Sequence, residues 1–176
     1  MATLSKPELL AALTRLGELA LEQDESIELL LLGGSLMVIV FETRLATRDV
    51  DVLVLAPREA AKVRHLASRI AVETGWPDDW LNDGAKGFLV GVSEGPVVFS
   101  APGILLRRPA IEQLLAMKLC AWRDDVDIAD ARRLLQELSG SEQEIWLRVE
   151  RYLQPGRELT AKLAFGDLWE DVYGSH

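Results

Sequence analysis

Between Leu29 and Leu55 the chain reads LLLLGGSLMVIVFETRLATRDVDVLVL, and this stretch restricts the fold more than any other. Short apolar runs bounded by turn formers read as buried strands, which predicts strands over Ile27–Leu32 and Asp49–Leu55. Gly33-Gly34-Ser35 ends the first run, and an apolar segment to about Phe41 reads as a short helix opened by Ser35. Side chains alternate across a strand, so Asp49 and Asp51 share one face while Val50, Val52 and Val54 take the other. Burial asks for no aspartates at the head of such a strand. Like charges this close repel unless water or a cation offsets them, and Mg2+ favours oxygen ligands of this kind, commonly one or two carboxylates plus substrate phosphates. Glycines let backbone N–H groups approach a bulky anion, and the unpaired N–H groups of a helix start, with the Ser35 hydroxyl, form an anion site. Phosphate on one side and a metal on the other is what phosphoryl transfer requires.

Composition bounds the partners. The 176 residues, 49% apolar and 27% charged, belong to the globular class and suffice for a sizeable core. No apolar run reaches the roughly 20 residues needed to cross a bilayer, and the N-terminus lacks a secretory pattern. Cys120 is the one cysteine, so no intrachain disulfide forms and a cytoplasmic location is expected; within its apolar helical pattern it reads as a core residue. A net charge of −9 opposes nucleic-acid binding, which draws on phosphate neutralisation. A local basic patch would have to come from Arg44, Arg48, Arg58, Lys62, Arg64 and Arg69, of which Lys62, Arg64 and Arg69 read better as a solvated helix face.

The remaining elements follow in order. Ser5 and Glu8 form a capping box for a helix over Lys6–Glu22, with Leu9, Leu13, Leu16 and Ala20 as its core stripe. Glu42–Arg48 reads as a loop. Pro57 opens a helix over Arg58–Thr74, stopped by Gly75; His65 within it has no ligand-spaced neighbour and reads as surface or packing. Trp76–Gly84 is a turn-rich loop pinned by Trp76, with Asp83 available as a third acid. Phe88–Val92 and Pro96–Ser100 read as strands joined by Ser93-Glu94-Gly95. From Pro109 the chain is expected to be helical. Lys118 is a charge inside an apolar helix that either snorkels to solvent or meets phosphate. Asp127 and Asp130 stand one turn apart at the start of an Ile128–Leu138 helix, where acids also suit the helix dipole. Ser141 and Glu144 cap Ile145–Leu153, and Leu163, Phe165, Leu168 and Trp169 suggest a docked tail over Leu159–Tyr173. His176, the last residue, is expected to be disordered.

These pieces together resemble the nucleotidyltransferase superfamily, most closely the AbiEii-like toxins of type IV toxin–antitoxin systems and the related DUF6036 proteins. The likeness lies in Gly33-Gly34-Ser35, Arg44, Thr47, Asp49-Val50-Asp51, Trp80-Leu81-Asn82-Asp83, Ala116-Met117-Lys118-Leu119, Arg123 and Asp127-Ile128-Ala129-Asp130. It implies an α+β (α/β) fold: a small mixed β-sheet flanked by helices over residues 1–106, with a helical C-terminal portion over 107–176 packed on it. It also implies that Asp49 and Asp51 bind Mg2+ or Mn2+, and that Gly33, Gly34 and Ser35, with Arg48, hold the phosphates of an NTP. Lys118 would contact phosphate and Asp127 or Asp130 would assist the acceptor. The implied activity is nucleotide transfer to RNA or protein, in some relatives to tRNA, with a cognate antitoxin as partner. The third carboxylate usual on a later strand is missing from Val97-Val98-Phe99-Ser100, which leaves room for an inactive binding or regulatory module on the same fold.

Overall fold

The computed structural model describes residues 3–174; His176 lies outside them. The fold is mixed α+β, with a small β-sheet flanked by helices and a helical C-terminal region. The chain divides into two compact units. One takes the residues up to Lys86 together with Gly95–Arg108, and the other takes Gly87–Glu94 together with Pro109 onward.

The first unit opens with a two-residue strand β1 (Leu4–Ser5) and helix α1 (Lys6–Leu21). Glu8 accepts hydrogen bonds from the Ser5 backbone N–H at 2.8 Å and from its hydroxyl at 2.5 Å, which fixes the helix start. The Leu9, Leu13, Leu16 stripe is fully buried. Strand β2 (Ile27–Leu32) runs straight into helix α2 (Gly33–Ile39), then β3 (Ala46–Thr47) and β4 (Val50–Ala56). Helix α3 (Ala60–Thr74) ends on Gly75, and β5 (Leu81–Asn82), β6 (Val97–Ala101) and β7 (Ile104–Arg107) complete the unit. The five-stranded sheet has the order β5-β4-β2-β7-β6. β2 lies antiparallel to β4 and parallel to β7, β5 is parallel to β4, and β6 and β7 form a hairpin. Leu29–Leu32 are buried throughout, as expected of a central strand covered on both faces.

Several sequence expectations change here. The polar Glu42–Arg48 segment contains β3, which pairs antiparallel with β1. Phe88–Val92 is not a strand. A 3₁₀ turn covers Gly84–Phe88, and the Val90 and Gly91 carbonyls accept from the side-chain amide of Gln113 at 3.2 and 3.0 Å. Gln113 is itself buried, and its carbonyl oxygen takes the Ser93 N–H and hydroxyl. Those peptide groups therefore find partners outside any β-ladder. The hairpin turn lies at Pro102-Gly103 instead, and β7 follows it. Trp80, not Trp76, pins the loop: it is fully buried and donates its indole N–H to the Ala67 carbonyl at 2.9 Å, with Trp76 edge-on against it at 5.5 Å. His65 is exposed.

The second unit is helical: α4 (Ile111–Ala121), α5 (Asp125–Gln136), α6 (Glu142–Val149) and α7 (Glu158–Tyr173). Asp124 caps α5 by accepting from the Val126 and Asp127 N–H groups, so this helix starts earlier than its apolar pattern indicates. Ser141 and Glu144 form the expected capping box. α7 packs on α4 and α5 through Ala161, Ala164, Phe165, Leu168 and Trp169, whereas Leu163, read as a docking residue, faces solvent. Cys120 is buried. No helix among the described residues is long and apolar enough to cross a membrane.

Candidate functional site

Antiparallel pairing of β2 and β4 sets Leu32 opposite Asp51. The next residue after Leu32 is Gly33, so the acid meets the turn. Gly33 has φ +62°, and a Cβ there would stand 2.3 Å from Oδ2 of Asp51. At Gly34 a Cβ would stand 2.9 Å from the Thr47 hydroxyl and 3.0 Å from Nη1 of Arg44. The space beside each glycine is thus taken by the protein's own side chains. Gly33 makes room for a carboxylate, and Gly34 for the loop that carries Arg44 and Thr47.

Asp49 is held from the other edge. β5 runs parallel to β4 with Val50 opposite Leu81 and Asp51 opposite Asn82. The Asn82 amide nitrogen donates to Oδ2 of Asp49 at 3.1 Å and to the Asp79 carbonyl at 3.3 Å, while its oxygen accepts from the Gly84 N–H at 2.8 Å. A Cβ on Gly84 would come within 2.9 Å of that amide oxygen and 3.6 Å of Oδ1 of Asp51. Asn82 therefore lies beside both acids, kept in place by the Trp80 anchor two residues earlier. Valines 50 and 52 are buried and Asp49 and Asp51 are half-exposed, as the strand's alternation requires.

Sequence reasoning weighed Asp83 in this loop, whereas the residue that the structure sets beside Asp49 and Asp51 is Asn82. Asp83 was the candidate third acid, but its carboxylate pairs with Lys86 at 2.5 Å, and that hydrogen bond holds its pKa below the usual value. Asn82 carries no charge and entered only within the Trp80-Leu81-Asn82-Asp83 likeness, with no role of its own; a polar residue directly after a tryptophan and a leucine was the available signal.

Ser35 does not open the helix. α2 begins at Gly33, and Ser35, fully buried, donates its hydroxyl to the Leu32 carbonyl at 3.0 Å. That bond ties the helix back to the strand that delivers it. Arg48 is exposed next to Asp49 in the chain. Of the basic residues considered for a patch, Lys62 pairs with Glu25 at 2.5 Å and Arg69 lies 3.8 Å from Glu22, as a solvated face predicts.

The donor set suits a hard cation in kind: carboxylate oxygens at a half-open strand end. Among the described residues no group of three or more His, Cys, Asp or Glu side chains could by itself hold a metal. Carboxylates of this kind are ones a hard cation such as Mg2+ takes together with water and phosphate, and two of them do not make a closed protein cage.

Lys118, Asp127 and Asp130 come together in the helical unit. The lysine ammonium lies 2.9 Å from Asp127 and 2.7 Å from Asp130, with side chains 14%, 3% and 1% exposed respectively. It does not snorkel. Arg123 adds a second cation to Asp127 through Nε at 3.0 Å and its backbone N–H at 3.2 Å. Burial pushes the Asp127 carboxyl up, but the hydrogen bonds from Arg123 and Lys118 outweigh it and bring the pKa down to about 2. These charges satisfy one another, which accounts for their burial.

Comparison of the chain with family models, with curated proteins and with solved structures finds no match.

Proposed function

We propose that this protein is a Mg2+- or Mn2+-dependent nucleotidyltransferase whose site is the Asp49/Asp51 end of β4 together with the Gly33–Ser35 turn. The observation that carries the reading is the seating of Asp51 against Gly33, with Asp49 held by Asn82 next to it. In this reading the two carboxylates hold the cation, and Arg48 with the backbone of the turn at Gly33 and Gly34 meets the triphosphate of an NTP, while Ser35, buried and bonded to the Leu32 carbonyl, only ties the turn to β2. A divalent cation would supply charge neutralisation at the phosphates. The acceptor hydroxyl attacks the α-phosphorus, its proton passes to a carboxylate or water, and the bond to the bridging oxygen breaks to release pyrophosphate. The acceptor is an RNA such as tRNA, or a protein, and the resemblance to toxin systems adds a cognate antitoxin as partner. Lys118, Asp127 and Asp130 keep a structural role here, because their charges already offset one another.

Melting curves with Mg2+ or Mn2+ and each of the four NTPs test this. At least one combination is expected to raise the melting temperature, and Asp51→Asn to remove the rise. Absence of a shift with all four NTPs refutes it.

The two-carboxylate donor set favours a second reading, a catalytically inactive module on the same fold that acts through a protein partner. It predicts nucleotide-independent co-purification with a neighbouring gene's product, no pyrophosphate release and no growth inhibition on expression.

A further inference from the structure

We propose that Asn82 is the positioning residue of this site: its amide fixes the Asp49 carboxylate for a divalent cation without neutralising it. The inference rests on the reading above, that Asp49 and Asp51 hold such a cation. The orientation of the Asn82 amide follows from its surroundings. The Gly84 N–H requires an acceptor, and the Asp49 carboxylate and Asp79 carbonyl both require a donor, so only one of the two amide orientations satisfies all three. The side chain is held on three sides and Trp80 anchors its strand, so it is a rigid donor. With Oδ2 of Asp49 engaged at 3.1 Å, the plane of the carboxylate is set, and with it the direction of the other oxygen.

The neighbouring acid shows what a different partner does. Asp83 is paired with the ammonium of Lys86 at 2.5 Å, so its charge is already offset. An amide donor leaves the charge of Asp49 in place for a cation. A carboxylate at position 82 would lose the donor and add a third negative charge beside the other two. Partners that orient a metal-binding carboxylate typically account for about 10- to 100-fold in metal affinity.

The test is titration of the metal-free protein with Mn2+ alone, reading free Mn2+ by its electron paramagnetic resonance signal, with circular dichroism and melting on the same samples. Wild type is expected to bind Mn2+, Asp51→Asn to abolish binding, and Asn82→Ala to weaken it about 10-fold while still melting cooperatively. Asn82→Ser serves if the alanine variant does not fold. Wild-type affinity in a folded Asn82 variant overturns the inference alone, since a merely structural residue would lower melting and leave affinity unchanged. Failure of both variants to fold overturns it in favour of a structural role. Failure of wild type to bind Mn2+, or undiminished binding by Asp51→Asn, overturns the cation reading and this inference with it.

Discussion

Gly33→Ala separates two demands that the turn makes on one residue. The first is backbone conformation: φ of +62° lies in the left-handed region, where a residue with a Cβ costs about 1–2 kcal/mol. The second is space: the new methyl group would stand 2.3 Å from Oδ2, 3.1 Å from Cγ and 3.2 Å from Cβ of Asp51. Relief requires Asp51 to leave its rotamer or β4 to shift, and overpacking of this kind costs about 1–3 kcal/mol more. The sum is about 2–5 kcal/mol. For a chain of 176 residues each kcal/mol lowers the melting temperature by about 2–4 °C.

Gly75 supplies the control. It has φ +74° at the end of α3 and nothing within 4 Å of the place a Cβ would take, so Gly75→Ala carries the backbone cost alone, about 1–2 kcal/mol. Urea unfolding of the two variants, followed by circular dichroism, should therefore place Gly33→Ala clearly below Gly75→Ala. Repeating Gly33→Ala in an Asp51→Ala background removes Oδ2 and Cγ from the contact. The excess over Gly75→Ala should then largely vanish, as expected for two directly coupled positions. Equal costs for Gly33→Ala and Gly75→Ala in the wild-type background would refute the seating of Asp51 against the turn.

The helical unit and the Trp80 anchor give three further expectations. Lys118→Met leaves Asp127 and Asp130 buried without their shared cation and should cost about 3–5 kcal/mol in urea unfolding; a loss below about 1 kcal/mol is incompatible with the pairing. The folded pKa of Asp127, about 2, lies below its ordinary 3.8, so the unfolded chain binds more protons between them and stability rises with pH there. The contribution, about 2 kcal/mol, should be complete above about pH 4 and lost as pH falls to about 2, and Asp127→Asn should remove that part of the acid dependence. Trp80→Phe removes the bond to the Ala67 carbonyl and part of a buried ring, and should cost about 1–3 kcal/mol by the same unfolding measurement.

What the sequence made legible was local. The stripe of α1, the Ser5/Glu8 and Ser141/Glu144 caps, β2 and the alternation of β4 are written in short-range periodicity; α1, β2 and β4 stand within a residue of their expected bounds, whereas α6 starts three residues before the expected Ile145 and ends at Val149. What it hid depended on distant partners. Phe88–Val92 has the composition of a strand, but its carbonyls bond the amide of Gln113, more than twenty residues later. β3 is two residues long, and its partner β1 lies at the start of the chain. The same division holds at the site. Two aspartates sharing a strand face could be read from spacing, whereas the hold of Asn82 on Asp49 depends on β5 pairing in parallel with β4, which no local pattern announces.

Register connects the two levels. β2 is buried at Leu29 through Leu32 without alternation, so it cannot by itself choose which residues of β4 lie opposite. That choice falls to β4, where Val50 and Val52 are buried while Asp51 is not. A slip of one residue would exchange the faces, turning Asp51 toward the core and exposing both valines. The cost of desolvating a carboxylate far exceeds that of exposing a valine, so the acid fixes the alignment at least as firmly as the apolar side chains do. Once Leu32 is opposite Asp51, the acid reaches the residue after Leu32, and only glycine leaves room for it there. Gly33 and Asp51 are in this sense one feature: the charge sets the register of the strand pair, and the register sets the requirement for glycine.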